Sequence, residues 1–112
     1  MMHVIREKAS PQQIEQMIDT LETYIKVAVD IRRKTLSGGG ILHADCEAQL
    51  LADGSRQEDI WGADWYPKSQ KVQFEALINI RPSENNPTMQ IQNPNIRSQV
   101  ESIVKELLEG ME

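Results

Sequence analysis

The sequence Tyr24-Ile25-Lys26-Val27-Ala28-Val29-Asp30-Ile31 alternates β-branched residues with other side chains. Successive side chains of an extended chain point to opposite sides, so this period of two predicts a strand with one apolar face. The rival interpretation is one long helix from Pro11 to Lys34, because neither glycine nor proline separates the segment from the helical pattern before it. Four β-branched residues at alternate positions favour the strand, since their side chains lose rotamer freedom in a helix.

Two capped helices are predicted, one before this strand and one near the end of the chain. The first begins at Pro11, where Ser10 and Gln13 form a capping box, and its apolar stripe is Ile14, Met17, Ile18 and Leu21. The second begins at Pro94 after the cap residue Asn93, and its stripe is Ile96, Val100, Ile103, Val104, Leu107 and Leu108. We expect both helices to pack on one face of the sheet.

Four further segments have the short apolar or alternating patterns of strands: residues 2–6, 42–50, 60–66 and 72–80. Residues 42–50 alternate most regularly, although Ala44, Ala48 and Leu51 also have helical spacing. The predicted order is β-α-β-β-β-β-α, in a single α+β domain over residues 1–112. Its antiparallel sheet of four to five strands has one apolar face and one face of ionisable side chains.

Two segments are predicted to be irregular. Residues 37–40, Ser-Gly-Gly-Gly, indicate a turn; a phosphate cradle is the rival interpretation, but no Lys-Ser/Thr pair follows as in a P-loop. Residues 81–93 show little periodicity and several polar turn clusters. Long irregular segments of compact domains are often functional, so this one is a candidate ligand-covering loop.

Composition excludes some classes of partner. The 112 residues have a net charge of −5, from 12 basic and 17 acidic side chains, which disfavours nucleic acid and anionic membranes as partners. Apolar residues make up 39%, so we expect a thin core that leaves one sheet face to water or to a second subunit. No apolar run approaches a membrane span and no signal-peptide pattern is seen. The single Cys46 excludes an intrachain disulfide and indicates a reducing, cytoplasmic setting.

The candidate site is the ionisable face of the predicted sheet. On a strand, His43, Asp45 and Glu47 would share one side, which suggests nitrogen and oxygen ligands for Zn, Mn or Fe with a third ligand from Glu75 or Asp64. A solvated face with cross-strand ion pairs is the favoured interpretation, so no residue is assigned as a metal ligand. Acid–base chemistry by Asp45 with Glu75 is a further alternative. The candidate ligand-binding residues are His43, Asp45, Glu47, Glu75, Asn79 and Arg81.

Two other features bear on function. Cys46 falls on the apolar side of its predicted strand, where free cysteines are usually inert packing residues. Trp61, Trp65 and Tyr66 cluster within six positions. Either the tryptophans anchor the core edge, or the three aromatic residues form an interface.

Four phrases carry a resemblance to known proteins: residues 41–47 (Ile-Leu-His-Ala-Asp-Cys-Glu), 53–55 (Asp-Gly-Ser), 59–63 (Asp-Ile-Trp-Gly-Ala) and 77–82 (Leu-Ile-Asn-Ile-Arg-Pro). Together they resemble a family of small bacterial proteins of unknown function. The resemblance covers most of the chain and implies a compact stand-alone domain. It implies no activity, so no catalytic residue and no cofactor can be transferred.

Two functional hypotheses follow. The first is a non-enzymatic binding or interaction module that acts as a homodimer, because the domain is small and its sheet and aromatic cluster are expected to be exposed. The second is a small enzyme or metal-binding protein with its site around His43, Asp45 and Glu47. The sequence identifies neither a catalytic residue nor a small-molecule ligand.

Overall fold

Five antiparallel strands form one sheet in the computed structural model, which describes residues 1–110. In chain order the strands are β1 (His3–Ile5), β2 (Ile25–Asp30), β3 (Thr35–Gly38), β4 (Ile60–Tyr66) and β5 (Lys71–Gln73). Three α-helices accompany them: α1 (Pro11–Ile18), α2 (His43–Ala52) and α3 (Pro94–Leu108). The spatial order β1-β3-β2-β4-β5 places β2 at the centre of the sheet.

The central strand and the two capped helices are confirmed. The chain leaves α1 after Ile18 and becomes extended at Ile25, so the rival single helix is excluded. The Ser10 side chain accepts from Gln13 N, and the Gln13 side chain accepts from Ser10 N, as a capping box requires. Asn93 caps α3 in the same way, because its side chain accepts from Asn95 N and Ile96 N. These elements follow local rules of period and capping, which is why the sequence predicts them.

Two hydrophobic clusters lie on opposite sides of the sheet. The larger contains Val27 and Val29 of β2, the inward side chains of β4, and residues of α1 and α3. The smaller contains Ala28 of β2 and Ile60 of β4 together with Cys46 and Leu50 of α2. Since adjacent strand residues point to opposite faces, α2 covers the face that was expected to be free. The predicted open ionisable face is therefore wrong.

Residues 43–52 form helix α2, so the predicted strand at 42–50 is wrong. The apolar positions of this alternation are leucine, alanine and cysteine, so no β-branched side chain favours a strand, and alanine is the best helix former. In the helix, Cys46 and Leu50 lie one turn apart and both are buried against the sheet. The Asp45 carboxylate accepts from Leu42 N and so caps the first turn.

Residues 37–40 do not form a simple turn, which is a second correction. Ser37 and Gly38 belong to β3, which pairs with both β1 and β2, and only the two glycines that follow leave the sheet. Gly39 has φ +96°, and a Cβ there would collide with the Met1 carbonyl oxygen. The observed order is β-α-β-β-α-β-β-α, because β3 and α2 replace one predicted turn and one predicted strand.

The predicted strand at 72–80 ends early, at Gln73. Residues 74–91, here called the 74–91 segment, form an irregular hairpin instead, with a bridge between Glu75 and Gln90 and short 3-10 turns at Leu77–Asn79 and Pro82–Glu84. The side chain of Asn86 donates to the carbonyls of Asn79, Thr88 and Gln90 and holds the hairpin closed. Hydrogen bonds within the 74–91 segment thus replace the strand pairing that the alternation of residues 72–80 predicted.

Candidate functional site

A cleft of about 350 Å³ lies where the first turn of α2, strands β2 and β4 and the 74–91 segment meet. Its lining combines apolar side chains with four ionisable ones: Lys26, Leu42, His43, Ala44, Asp64, Glu75, Ala76, Leu77, Ile78 and Met89. Small-ligand sites are typically clefts of this kind, mostly apolar with a few placed polar groups. A wider groove of about 670 Å³ follows β1 and α1, but it contains no comparable pairing of a histidine with a carboxylate.

His43 and Asp64 form the polar centre of the cleft. His43 Nε2 lies 2.8 Å from Asp64 Oδ1 and 3.0 Å from the Ala63 carbonyl oxygen. Both oxygens are acceptors, so Nε2 carries the hydrogen and donates to them. Within residues 1–110, Nδ1 has no hydrogen-bond partner and is not among the fully buried unpaired atoms. With the hydrogen on Nε2, the imidazole of this cleft residue therefore has an unpaired acceptor at Nδ1.

Strand register and helix position explain why these two side chains meet. Asp64 lies directly opposite Lys26 in the β4–β2 ladder, on the α2 side of the sheet, because Trp61, Ala63 and Trp65 point to the larger cluster. His43 is the first residue of α2, which contacts β2 and β4 on this side. The helix thus carries the imidazole across the sheet to a carboxylate 21 residues away.

Lys26 and Glu75 supply the other charges of the cleft. The Lys26 ammonium donates to the Ile41 carbonyl oxygen at 3.1 Å. Glu75 is exposed, and its carboxylate accepts from Gln90 Nε2 at 2.7 Å. The cleft therefore contains one cation and two hydrogen-bonded carboxylates beside the imidazole, and its other lining residues are apolar.

The predicted grouping of His43, Asp45 and Glu47 is wrong, because these residues lie on a helix. His43 and Glu47 are one turn apart and share a side, whereas Asp45 is exposed on another side and caps α2. Glu47 is half-buried near Arg81, and its Oε2 has no partner among the described residues. In the part of the chain that the structure describes, no three His, Cys, Asp or Glu residues lie close enough to hold a metal ion.

Asn79 and Arg81 were predicted to bind a ligand, but the structure shows their side chains bonded within the fold. The buried Asn79 amide accepts from Gly62 N and donates to the Gly62 and Met89 carbonyls. The buried Arg81 guanidinium lies 4.3 Å above the Trp61 ring and donates to backbone carbonyls, including that of Ile60. Burial lowers the pKa of Arg81, while nearby Glu84 and Glu47 oppose that effect. Both residues fasten the 74–91 segment to β4.

The aromatic cluster lies mainly in the core. Trp65 is 0% exposed and Trp61 is 3% exposed, so neither ring can contact a partner in the folded chain. Tyr66 is half-buried and stacks on Tyr24 with ring centroids 5.1 Å apart; burial raises the pKa of its hydroxyl. The structure therefore supports the interpretation of the tryptophans as core anchors, and of the predicted interface residues only Tyr66 is near the surface.

Several cleft residues were not predicted. Asp64 was named only as a possible third metal ligand, and Lys26, Leu42 and Leu77 were not named as site residues. The alternation of β4 does place Asp64 opposite the tryptophan face, which is a usable signal. Pairing Asp64 with His43 additionally requires α2 to be a helix, and the sequence pattern misplaced that element.

Comparison with known proteins bears on the family to which the chain belongs. No curated protein and no solved structure matches the chain significantly. None of the helices described over residues 1–110 is long and apolar enough to cross a membrane. A family model described as "Protein of unknown function (DUF5674)" matches residues 3–107, which is nearly the whole chain. The chain therefore belongs to this family of proteins of unknown function.

Proposed function

We propose that the domain binds a small ligand in the cleft, with a polar group at His43 and an apolar body between the cleft walls. The observation that carries the proposal is the His43–Asp64 hydrogen bond of 2.8 Å on the wall of a largely apolar cleft. Asp64 holds the ring so that Nδ1 remains an acceptor. A ligand that donates a hydrogen bond to Nδ1 would replace a water molecule there.

Exposed leucines support an apolar ligand body. Leu77 is 70% exposed and Leu42 is 55% exposed, and both line the cleft. Large apolar side chains in a concave site gain free energy when a ligand removes them from water, at about 25 cal/mol per Å² of apolar surface. Met89 lines the same cleft, and its flexible thioether adapts to different ligand shapes.

The proposal is tested with a substitution on α2 whose larger side chain fills the cleft. Ala44 lines the cleft and is exposed on α2, so we expect Ala44→Trp to occupy the site and abolish binding of fragment hits found by ligand-observed NMR. Ala52→Trp is the matched control, because Ala52 is also exposed on α2 but does not line the cleft. Equal binding by the two variants, or hits whose chemical-shift changes lie away from the cleft, would contradict the proposal.

Self-association through the same rim is a second candidate function. Ile41 and Ile80 are also exposed, next to the cleft residues Leu42 and Leu77 in the chain, which makes an apolar surface that a second copy of the domain would cover. We expect sedimentation equilibrium to show a dimer that Leu77→Glu dissociates. Leu51→Glu, a change at an exposed leucine outside the cleft lining, is the control. A monomer at high micromolar concentration would exclude this candidate.

A cytoplasmic location remains part of the proposal. Its support is the single Cys46, which is buried and unable to form an intrachain disulfide. Fractionation of cells that produce the tagged protein tests it, and recovery in an exported fraction would contradict it.

A further inference from the structure

We propose that the cleft is hydrolytic: His43 acts as a general base that activates water against a small ester bound between Leu42 and Leu77. The inference rests on the proposed ligand cleft and adds a reaction to it.

The imidazole is arranged as a base. Its Nε2–H is shared between Asp64 Oδ1 and the Ala63 carbonyl oxygen, which together fix the tautomer and the ring plane. The opposite nitrogen, Nδ1, has no hydrogen-bond partner in residues 1–110 and is not among the fully buried unpaired atoms, and His43 lines the cleft. When Nδ1 takes a proton, the ring becomes an imidazolium whose charge lies against the Asp64 carboxylate. This is the carboxylate–imidazole logic of acyl-transfer enzymes with the two ring nitrogens exchanged.

We assign water as the nucleophile because no hydroxyl or thiol side chain lines the cleft, and the imidazole has the role of base in the proposed scheme. The lining side chains include no serine, threonine or cysteine. Cys46 is the nearest candidate along the chain, but it is buried under α2, and burial raises the pKa of its thiol, so the thiolate is scarce. A covalent acyl-enzyme on an oxygen or sulfur atom is therefore not expected.

The remaining cleft groups fit the two halves of an ester. Lys26 lines the cleft, and its Nζ donates to the Ile41 carbonyl oxygen at 3.1 Å; in the proposed scheme this positive charge stabilises the tetrahedral oxyanion. Leu42, Leu77 and Met89 offer apolar surface for the alcohol or phenol part.

The step balances with water as the only co-reactant. Water oxygen bonds to the acyl carbon while one of its protons passes to His43 Nδ1. The bond between the acyl carbon and the leaving oxygen then breaks, and the imidazolium returns its proton to that oxygen. The products are a carboxylic acid and an alcohol or phenol, and His43 is restored.

Asp64 is a positioning residue in this scheme. Its Oδ1 is hydrogen-bonded to His43 Nε2, so it acts through His43 and stabilises the imidazolium that exists only after proton transfer. Its removal is therefore expected to lower kcat more than it changes KM, since this stabilisation is gained in the transition state and not in the ground state. A purely structural role would instead change both constants or the fold.

The test uses p-nitrophenyl acetate, a small ester with an apolar aromatic leaving group whose release is followed by absorbance. We expect His43→Ala to lower kcat/KM by about 100-fold or more, the range of general-base contributions. His3→Ala is the matched control, because His3 Nε2 pairs with the neutral Gln16 side chain outside the cleft, and its rate should equal that of the wild type. Asp64→Asn should lower kcat more than it changes KM, and turnover should be slower in D₂O because a water proton moves in the rate-limiting step.

Three results would overturn the inference. They are wild-type hydrolysis no faster than buffer, an undiminished rate in His43→Ala, or an acetylated imidazole intermediate with no solvent isotope effect. Chemical-shift mapping with phenol separates this failure from that of the proposed function. Shifts at Ala44 and Leu77 without turnover would leave a binding cleft without hydrolysis, whereas the absence of both would remove the cleft as a site.

Discussion

Replacing Asn79, which does not itself line the cleft, with alanine should destabilise the domain strongly. The Asn79 amide is fully buried and makes three hydrogen bonds to backbone: from Gly62 N at 2.8 Å, to Gly62 O at 3.0 Å and to Met89 O at 3.1 Å. The Asn79 amide bonds to both the N–H and the carbonyl of Gly62, as the backbone of a neighbouring strand would. The backbone of the 74–91 segment does not form these bonds.

The magnitude follows from what the substitution leaves behind. An alanine at this position leaves Gly62 N and Gly62 O without a partner, whereas Met89 O keeps the hydrogen bond from Ala76 N. Each buried unpaired group costs about 1–3 kcal/mol, and water that enters the space restores part of this loss, so we expect the free energy of unfolding to fall by about 2–4 kcal/mol. A domain of this kind has about 5–15 kcal/mol in total, so this is a large share of its stability.

Urea denaturation followed by tryptophan fluorescence measures this change, because Trp61 and Trp65 are buried and report unfolding. Asn95→Ala is the control, since Asn95 is exposed in the first turn of α3 and its backbone alone is bonded to the cap. A loss below about 1 kcal/mol for Asn79→Ala would show that the three bonds contribute little beyond one ordinary hydrogen bond. The structural account of Asn79 would then be refuted, and its predicted ligand role would regain support.

Three further predictions concern packing, thiol reactivity and acid stability. Gly62→Ala places a Cβ 2.5 Å from the Ala76 Cβ, so urea denaturation should show a loss of about 1–3 kcal/mol; an unchanged midpoint would mean that the segment shifts freely. Cys46 should react with iodoacetamide far more slowly in the native protein than in urea, because burial raises its pKa and excludes the reagent; similar rates would contradict its buried position. Asp53 has its pKa lowered by hydrogen bonds from two arginines, chiefly Arg33, so it stabilises the fold above its ordinary pKa of 3.8 and loses that effect as the pH falls through the lowered value. Asp53→Asn should therefore flatten the decline in thermal stability between neutral pH and the acid side of 3.8, and an equally steep decline would count against this pairing.

The elements that obey local rules were predictable from the chain. β2 and β4 carry β-branched or aromatic residues at a period of two, and α1 and α3 have cap residues followed by an apolar stripe of helical period. Each of these signals lies within one segment and depends on side chains a few positions apart. For that reason these strands and helices are predictable without knowing which elements pack against them.

The candidate site was not predictable in the same way, because its parts come from separate segments. Residues 42–50 alternate like a strand and also fit a helix. The helix α2 is stabilised because it buries Cys46 and Leu50 against Ala28 and Ile60 of the sheet. The 74–91 segment leaves the sheet because the Asn79 amide pairs with Gly62. The hydrogen bond between His43 and Asp64 joins residues 21 positions apart. It therefore depends on residues 43–52 forming a helix and on where that helix packs against the sheet. Local periodicity therefore established the sheet and two helices, whereas long-range packing determined which polar side chains face one another.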